Sequence, residues 1–446
     1  MNNRNSTSQE LWCAQRFAMD NHPPNPRLHV RGKWFFLAAF IFSCFLFWWI
    51  PSVLFRLVVH QADAVDNESI VVSIVGLALF IAGYLFPAFA WPARPPSPQM
   101  LDACGGFAYK VTLLLASPAL VLSILFWHSH TGHDYIGADP IPFGYQVVLY
   151  THLFFGFMFF GSADPRKEGW RRILISIALV TLPRLIISLH WGRFFLAQAV
   201  VPALLMAIAR GWISFSPRRI FQVVVVALVI LFVPAMTRED FSLGQGDMVQ
   251  WFAQGSTLKL YQDNTDLNLN GYCPPLLVSI TAKSVPYVLL NVCIMDYNAQ
   301  SMPATSGRIV TVNDPKTFQG TLGGAGSNYL LDLYLSGGIL AVFAGSAAFG
   351  FSCRRFIGWI GQPSLFAGMW AECLTRALLA PRGELGYVYE RIPSLVLTTW
   401  LVVLIVWAGR LLVIDRSKGN EAAGLAEVRH KPAQFPESLT GTPFSC

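Results

Sequence analysis

Residues 34–50, WFFLAAFIFSCFLFWWI, contain no charged side chain and a single hydroxyl group, that of Ser43. A helix needs about 20 mostly apolar residues to cross a membrane, and this apolar run extends to residue 58. The run is longer than the roughly 7–15-residue core of a signal peptide. It therefore predicts a first membrane-spanning helix that is not cleaved.

The composition of the whole chain leads to the same class of protein. Its 446 residues are 54% apolar and only 13% charged, and they include 14 Trp and 34 Phe. Because a soluble domain carries about 25% charged residues, about half of the expected surface charge is missing. The composition excludes a set of soluble domains and predicts an integral membrane protein.

The predicted fold class is an all-α polytopic membrane protein with about ten transmembrane helices and one large periplasmic loop. The candidate spans are roughly 34–58, 70–91, 108–127, 141–161, 173–189, 194–214, 220–236, 328–351, 363–380 and 393–414. The corresponding regions are an N-terminal segment (1–33), transmembrane helices 1–7 (34–236), the large loop (237–327), transmembrane helices 8–10 (328–414) and a tail (415–446).

Basic residues are concentrated in alternate connections between the spans. They cluster within 166–172 and at Arg354 and Arg355, whereas the connection 59–69 contains acidic residues without Lys or Arg. Because cytoplasmic connections carry the excess of Lys and Arg, we expect both termini in the cytoplasm. The same distribution accounts for the net charge of +7 without a nucleic-acid partner.

The loop at 237–327 has about 90 residues, whereas loops beyond about 15 residues are usually functional or disordered. It contains several aromatic residues and an apolar segment, 274–292, that we interpret as interfacial or re-entrant. Cys273 and Cys293 flank this segment. They can pair in an oxidising periplasm or remain two buried free thiols.

The fifth predicted span carries Arg184, and His190 and Arg193 follow at the short outer turn. Ionisable residues within a span are functional candidates, and Arg binds oxyanions such as phosphate with parallel hydrogen bonds. The structural alternative is that Arg184 pairs with a buried carboxylate, Arg193 reaches lipid headgroups and His190 caps a helix.

A Gly-rich segment, 323–326, precedes Asn328, Asp332 and Ser336, which share one helix face. Free N–H groups at a helix start form an anion site. The structural alternative is an N-cap by Ser327 or Asn328, with Asp332 favoured by the helix dipole.

Glu372 and Arg376 lie four residues apart and can form an ion pair within the membrane. Arg382 and Glu384 follow in a short outer loop. Since cations in an outer loop run against the usual charge distribution, we interpret them as candidates for binding a ligand.

Three histidines and an aspartate within 128–134 can hold a metal or form a polar turn, and we assign no metal and no cofactor. No phosphate-binding loop or nucleophile-elbow motif occurs. The candidate charges are predicted to lie on the outer side of the membrane. A reaction there would use a donor substrate that is already outside the cytoplasm, which points to a lipid-linked donor.

In its large loop and in the arginine and Gly-rich segments described above, the chain resembles the Wzy-type polysaccharide polymerases. These are the bacterial polymerases of O-antigen and oligosaccharide repeat units. The resemblance covers roughly 170–414 and comprises the large loop, Arg184 with Gly192-Arg193, and the Gly-rich start of an acidic–aromatic helix at 326–338. That family often has Glu where this chain has Asp332.

The resemblance implies glycosyl transfer at the periplasmic face of the bacterial inner membrane. The substrate would be an oligosaccharide linked to undecaprenyl diphosphate, and a flippase and a chain-length regulator are expected partners. Arg184 and Arg193 would bind the diphosphate, assisted by Arg376 or Arg382. Asp332, His190 or Glu384 would be the base that activates the acceptor hydroxyl.

Two other functions fit parts of the same pattern. An O-antigen ligase shares the layout, but the absence of His from the large loop favours a polymerase. A transporter or lipid-glycan flippase predicts two similar halves with broken helices in matching positions, and the single large loop argues against it.

Overall fold

The computed structural model describes residues 26–53, 65–87, 97–129, 143–191, 193–213, 258, 261–262, 328–383 and 385–430. These residues are almost entirely helical, and none of them forms a strand. The predicted span 220–236 and nearly all of the predicted loop at 237–327 lie outside the described residues.

Each predicted span within the described residues contains a helix, although the bounds differ from the predicted ones. In chain order the helices are α1 (Pro26–Cys44, continued by a π-helical turn Phe45–Trp49), α2 (Asn67–Leu85), α3 (Pro98–Ser129), α4 (Phe143–Ser162), α5 (Pro165–Glu168), α6 (Trp170–Trp191), α7 (Arg193–Ala209), α8 (Tyr329–Ile360), α9 (Ala367–Leu379), a 3-10 turn (Ala380–Arg382), α10 (Gly386–Tyr389) and α11 (Ile392–His430).

Five of the described helical segments are long and apolar enough to cross a membrane, as an all-α membrane protein requires. They are Gly32–Val53, Asn67–Leu85, Pro98–Phe126, Tyr329–Ile360 and Gly386–Leu411. Large apolar side chains lie exposed on these helices, including Leu114 at 74% and Leu340 at 76%. Such faces suit contact with lipid rather than water.

Helix α9 differs from the predicted span at 363–380. It has only 13 residues, ten of them buried, which corresponds to about 20 Å of helix against about 30 Å of membrane core. It packs against α4, α7 and α8. Because protein surrounds it, this helix can carry the charged residues Glu372 and Arg376 away from lipid.

The described residues up to Thr399 form one compact unit. From Trp400 onward, α11 belongs to a second unit and continues beyond the predicted end of the span, at residue 414, to His430. Residues 415–430 are rich in Ala, Glu, Lys and Arg, which are strong helix formers. This composition accounts for helix in the part of the predicted tail that the structure describes.

Helices α2 and α8 pack closely because glycines line their contact. A Cβ atom at Gly83 would collide with the carbonyl oxygen of Ala347, and one at Gly350 would collide with that of Phe80. Small residues allow such close approach between helices in membranes. Beside this contact, the rings of Phe40 and Phe80 stack with their centroids 3.9 Å apart.

Helix ends that the charge pattern assigns to the cytoplasm meet at Arg210. Its guanidinium donates to the carbonyl oxygens of Phe160 at 2.9 Å, Gly161 at 2.8 Å and Ile360 at 3.1 Å. Arg210 therefore ties the ends of α4, α7 and α8 together. At the opposite ends of the helices, Trp48 Nε1 donates to the carbonyl oxygen of Pro381 at 2.9 Å.

Helix α8 is interrupted near its start. Gly337 has φ −177° and ψ 26°, and Gly338 has φ 68° and ψ −161°. A positive φ strongly favours glycine, so the Gly-Gly pair permits this break. It separates a short segment, 329–336, from the long remainder of the helix.

Candidate functional site

Arg376 lies at the centre of a buried ion cluster. Its Nη2 is 3.0 Å from Glu372 Oε1, one turn earlier on α9, and its Nη1 is 3.0 Å from Glu390 Oε1, just before α11. Nη1 also donates to the carbonyl oxygen of Tyr387 at 2.9 Å. All three charged side chains are nearly inaccessible to solvent. The sequence-predicted pair Glu372–Arg376 is present, and it is part of a larger network.

Two further arginines extend this cluster toward α4 and α6. Arg391 Nη1 is 3.8 Å from Glu372 Oε1, and its Nε is 3.9 Å from Glu390 Oε1. The guanidinium carbon of Arg391 lies 4.3 Å from the ring centre of Tyr150, and that of Arg184 lies 4.9 Å from the same ring. Tyr150 therefore connects the two arginines through cation–π contacts.

Arg184 is 2% exposed and is buried between α4 and its own helix, α6. Its Nη2 donates to the carbonyl oxygen of Leu149 at 3.1 Å, and its guanidinium lies 5.7 Å from the ring of Phe195. Within the described part of the chain, no carboxylate forms an ion pair with it. Among the described residues, Arg184 therefore does not form the simple buried ion pair that was its structural alternative.

Together the cluster contains three arginines and two glutamates. With all of them ionised, one positive charge is left over in a largely buried setting. Buried charges are costly unless they are paired, and an intramembrane charge marks a functional site by default. The leftover charge is suited to an anionic ligand that approaches from the helix ends opposite Arg210.

A cavity of about 160 Å³ adjoins this cluster between α4, α9 and α11. Its polar end is formed by Gln146, Tyr150, Thr151, Glu372 and Arg391. Its opposite end is apolar and includes Phe154, Phe157, Met158 and Met369. From Gln146 to Met158 the lining extends along about 18 Å of α4.

The hydroxyl groups of α11 that line this cavity donate to their own helix. Ser394 Oγ donates to the carbonyl oxygen of Arg391 at 3.0 Å, Thr398 Oγ1 to that of Ser394 at 2.7 Å, and Thr399 Oγ1 to that of Leu395 at 2.7 Å. A hydroxyl group has one proton and two lone pairs. These side chains therefore offer hydrogen-bond acceptors to the cavity.

Asp332 lies in the first turn of α8 and contacts a different part of the segment between α9 and α11. It is fully buried, and its Oδ2 accepts a hydrogen bond from the backbone N–H of Gly386 at 3.2 Å. Asn328 caps the helix, because its side chain accepts from Leu331 N at 2.8 Å. The predicted N-cap is thus present at Asn328. Through Gly386, Asp332 holds the same short segment whose Tyr387 carbonyl oxygen accepts from Arg376.

A fragment of the large loop packs on the outer ends of α2 and α8. The ring of Tyr261 lies 5.5 Å from that of Tyr334, and Asp66 N donates to Gln262 Oε1 at 3.0 Å. Burial raises the pKa of the Tyr261 hydroxyl, and Tyr334, Glu68 and Asp66 act in the same direction. This tyrosine is therefore neutral at physiological pH.

The remaining predicted site residues are only partly described. Arg382 is exposed, with its guanidinium 5.6 Å from the ring of Phe47. The backbones of His190 and Arg193 end α6 and begin α7, and the structure leaves their side chains undescribed. Glu384 lies outside the described residues.

The predicted cysteine pair and most of the histidine motif also lie outside the described residues. These are Cys273, Cys293 and residues 130–134, whereas His128 ends up exposed near the end of α3. Across the described residues, no group of three or more His, Cys, Asp or Glu side chains lies close enough to hold a metal.

Sequence reasoning missed the part that Tyr150 and Glu390 take in the cluster. Tyr150 lies in an apolar span, where an aromatic residue carries no signal of its own. Glu390 is 14 residues from Arg376, and no local spacing rule relates the two. The signals that pointed toward this region were Arg184, the Glu372–Arg376 pair and the charge excess in the short outer loop.

Comparisons of the chain with protein-family models, with curated proteins and with solved structures find no match.

Proposed function

We propose that the protein polymerises undecaprenyl-diphosphate-linked oligosaccharide repeat units at the periplasmic face of the bacterial inner membrane. The observation that carries the proposal is the buried cluster of Arg184, Arg376 and Arg391 with only two glutamates. A positive excess at the outer helix ends suits a lipid-linked diphosphate. Arginines bind such a group with paired, charge-assisted hydrogen bonds.

In the proposed reaction the acceptor hydroxyl of one repeat unit attacks the anomeric carbon of another. The hydroxyl loses its proton to a base, the new glycosidic bond forms, and the bond between the anomeric carbon and the diphosphate oxygen breaks. The electron pair of that bond leaves with the lipid diphosphate. Arg184 and Arg391 stabilise the charge that develops on it, which is preorganised electrostatic catalysis.

His190 and Glu384 stay candidates for the base, whereas the burial of Asp332 argues against that role. Asp332 is fully buried and accepts a hydrogen bond from Gly386 N, so we assign it a positioning role for the segment that binds Arg376. Arg193 and Arg382 are expected to assist in binding the diphosphate in this proposal. A repeat-unit flippase would supply the substrate, and a chain-length regulator would bind the polymerase.

The test is to replace Arg184 and Arg391 separately by Ala in the host and to separate its surface polysaccharide on a gel. We expect each variant to lose the long-chain product, by about 100-fold or more for a lost transition-state contact, and to retain a single repeat unit. Arg171→Ala, an exposed arginine on the same helix as Arg184, is the matched control. Wild-type chain length in both site variants would contradict the proposal.

A transporter or flippase is the second candidate, because α8 is broken at Gly337–Gly338 within a candidate span. Broken helices form substrate sites in many transporters. The same gel separates the classes. Loss of a flippase or of an O-antigen ligase leaves no repeat unit on the cell surface, whereas loss of the polymerase leaves one.

A further inference from the structure

We propose that the cavity between α4, α9 and α11 is a sugar subsite in which Glu372 accepts a hydrogen bond from a ring hydroxyl group. This inference rests on the proposed glycan chemistry and assigns a residue and a ligand class to a specific cavity. Glu372 is 4% exposed and lines the cavity. An ion pair alone would not require the cavity.

The two carboxylate oxygens of Glu372 have different surroundings. Oε1 accepts from Arg376 Nη2 at 3.0 Å and Nε at 3.2 Å, and it lies 3.8 Å from Arg391 Nη1. All the contacts of Glu372 with these arginines therefore run through Oε1. Oε2 is the oxygen left for a ligand, and the arginines fix the orientation of the carboxylate.

The opposite wall of the cavity selects for a ligand that donates hydrogen bonds. Ser394 and Thr398 give their protons to helix carbonyl oxygens, so they present only lone pairs to the cavity. Arg391 lines the polar end of the cavity, but beside Ser394 and Thr398 a phosphate, which bears no proton for these groups, would meet only acceptors. A sugar ring supplies several hydroxyl donors, and its apolar C–H face fits the aromatic lining at Phe154 and Phe157.

This assignment divides the site in two. The diphosphate lies with Arg184 and Arg391 at the outer helix ends, and a sugar ring enters the cavity below them. The volume of about 160 Å³ is below the roughly 300 Å³ of a drug-sized pocket, which suits one ring rather than a whole repeat unit. The ring can belong to the donor or to the acceptor glycan.

The experiment uses full-length protein in nanodiscs and two probes. Saturation-transfer NMR measures binding of methyl glycosides of glucose, galactose, N-acetylglucosamine and rhamnose. Native mass spectrometry measures binding of undecaprenyl diphosphate. We expect Glu372→Gln to weaken glycoside binding roughly tenfold to a hundredfold, because it removes a charged acceptor. Undecaprenyl diphosphate should bind it as well as the wild type or better, since a negative charge is lost.

Thr398→Val is the milder variant, because it keeps the side-chain shape and removes one neutral acceptor. We expect it to weaken glycoside binding roughly fivefold. Thr375→Val is the control: Thr375 makes the same bond to its own helix, to Ala371 O at 2.9 Å, and does not line the cavity. Its glycoside binding should be unchanged.

Wild-type glycoside affinity in both Glu372→Gln and Thr398→Val would overturn the sugar subsite, as would a lack of binding by every glycoside. If Glu372→Gln bound neither the glycosides nor undecaprenyl diphosphate, while Thr398→Val bound both as the wild type does, Glu372 would only support the arginines. A different result would contradict the proposed function. In that case Arg184→Ala would bind undecaprenyl diphosphate as tightly as the wild type. Displacement of the glycoside by undecaprenyl-diphosphate-linked N-acetylglucosamine assigns the ring to the donor, and persistence assigns it to the acceptor.

Discussion

At the scale of single residues, Arg376 makes the shortest ion pairs in the cluster. It pairs with both Glu372 and Glu390 and donates to the Tyr387 carbonyl oxygen. Arg391 stands farther from the same carboxylates. This difference separates a mainly structural arginine, Arg376, from one that lines the cavity and can meet a ligand. It also makes Arg376 a poorer candidate for the diphosphate than the sequence suggested.

Arg376→Ala should destabilise the protein by about 3–5 kcal/mol, the usual cost of removing one partner from a buried ion pair. The reason is that two buried glutamates lose their nearest cation. Thermal unfolding of the purified protein in detergent measures the effect. Arg382→Ala, an exposed arginine of the same outer segment, should change the melting temperature little. Equal melting temperatures for the two variants would show that the ion cluster contributes no stability.

At the scale of helices, close packing depends on where glycines lie. On α8, a Cβ at Gly350 would collide with the carbonyl oxygen of Phe80 and lie 2.9 Å from Tyr84 N, whereas one at Gly358 would meet nothing within 4 Å. The same residue type therefore has two different roles on one helix. Gly350 permits the contact with α2, and Gly358 only weakens the helix.

We expect opposite effects from Gly350→Ala and Gly358→Ala. Ala is favoured over Gly in a helix interior by about 1 kcal/mol, so Gly358→Ala should raise the melting temperature. Gly350→Ala should lower it, because the helices must separate to admit the methyl group. Thermal unfolding with size-exclusion chromatography measures both. Stabilisation by both variants would mean that α2 and α8 do not approach each other this closely.

At the scale of the whole molecule, one group of helix ends meets at Arg210, and the ion cluster lies near the opposite ends. Arg210 joins the ends of α4, α7 and α8 with five hydrogen bonds to carbonyl oxygens. The ion cluster and the Trp48–Pro381 bond lie at the other ends of the helices. Arg210 and the candidate site thus lie at opposite ends of the described helices.

Alkaline phosphatase inserted into the full chain tests that orientation, because the enzyme is active only outside the cytoplasm. We expect activity after Gln262, whose side chain accepts from Asp66 N near the outer ends, and none after Gln362, whose carbonyl oxygen accepts from Arg210. Green fluorescent protein fused after Cys446 should fluoresce. The reverse pattern at the two insertion sites would place the ion cluster in the cytoplasm and refute the proposed use of a periplasmic donor.

Sequence alone determined the features that depend on local order. The apolar runs predicted the described helices, four-residue spacing predicted the Glu372–Arg376 pair, and composition near 328 predicted the cap formed by Asn328. Each of these features depends only on the order of residues within one turn or one span. Charge alone also drew attention to Arg184, but its burial and partners had no local signature.

Only the tertiary structure decided how these pieces meet. Tyr150 contacts both Arg184 and Arg391, and Glu390 pairs with Arg376, through contacts between residues that lie 14 to more than 200 positions apart in the chain. The cavity is lined by residues of α4, α9 and α11, which lie far apart in the sequence. Such contacts depend on the packing of whole helices, and no spacing within one segment encodes them.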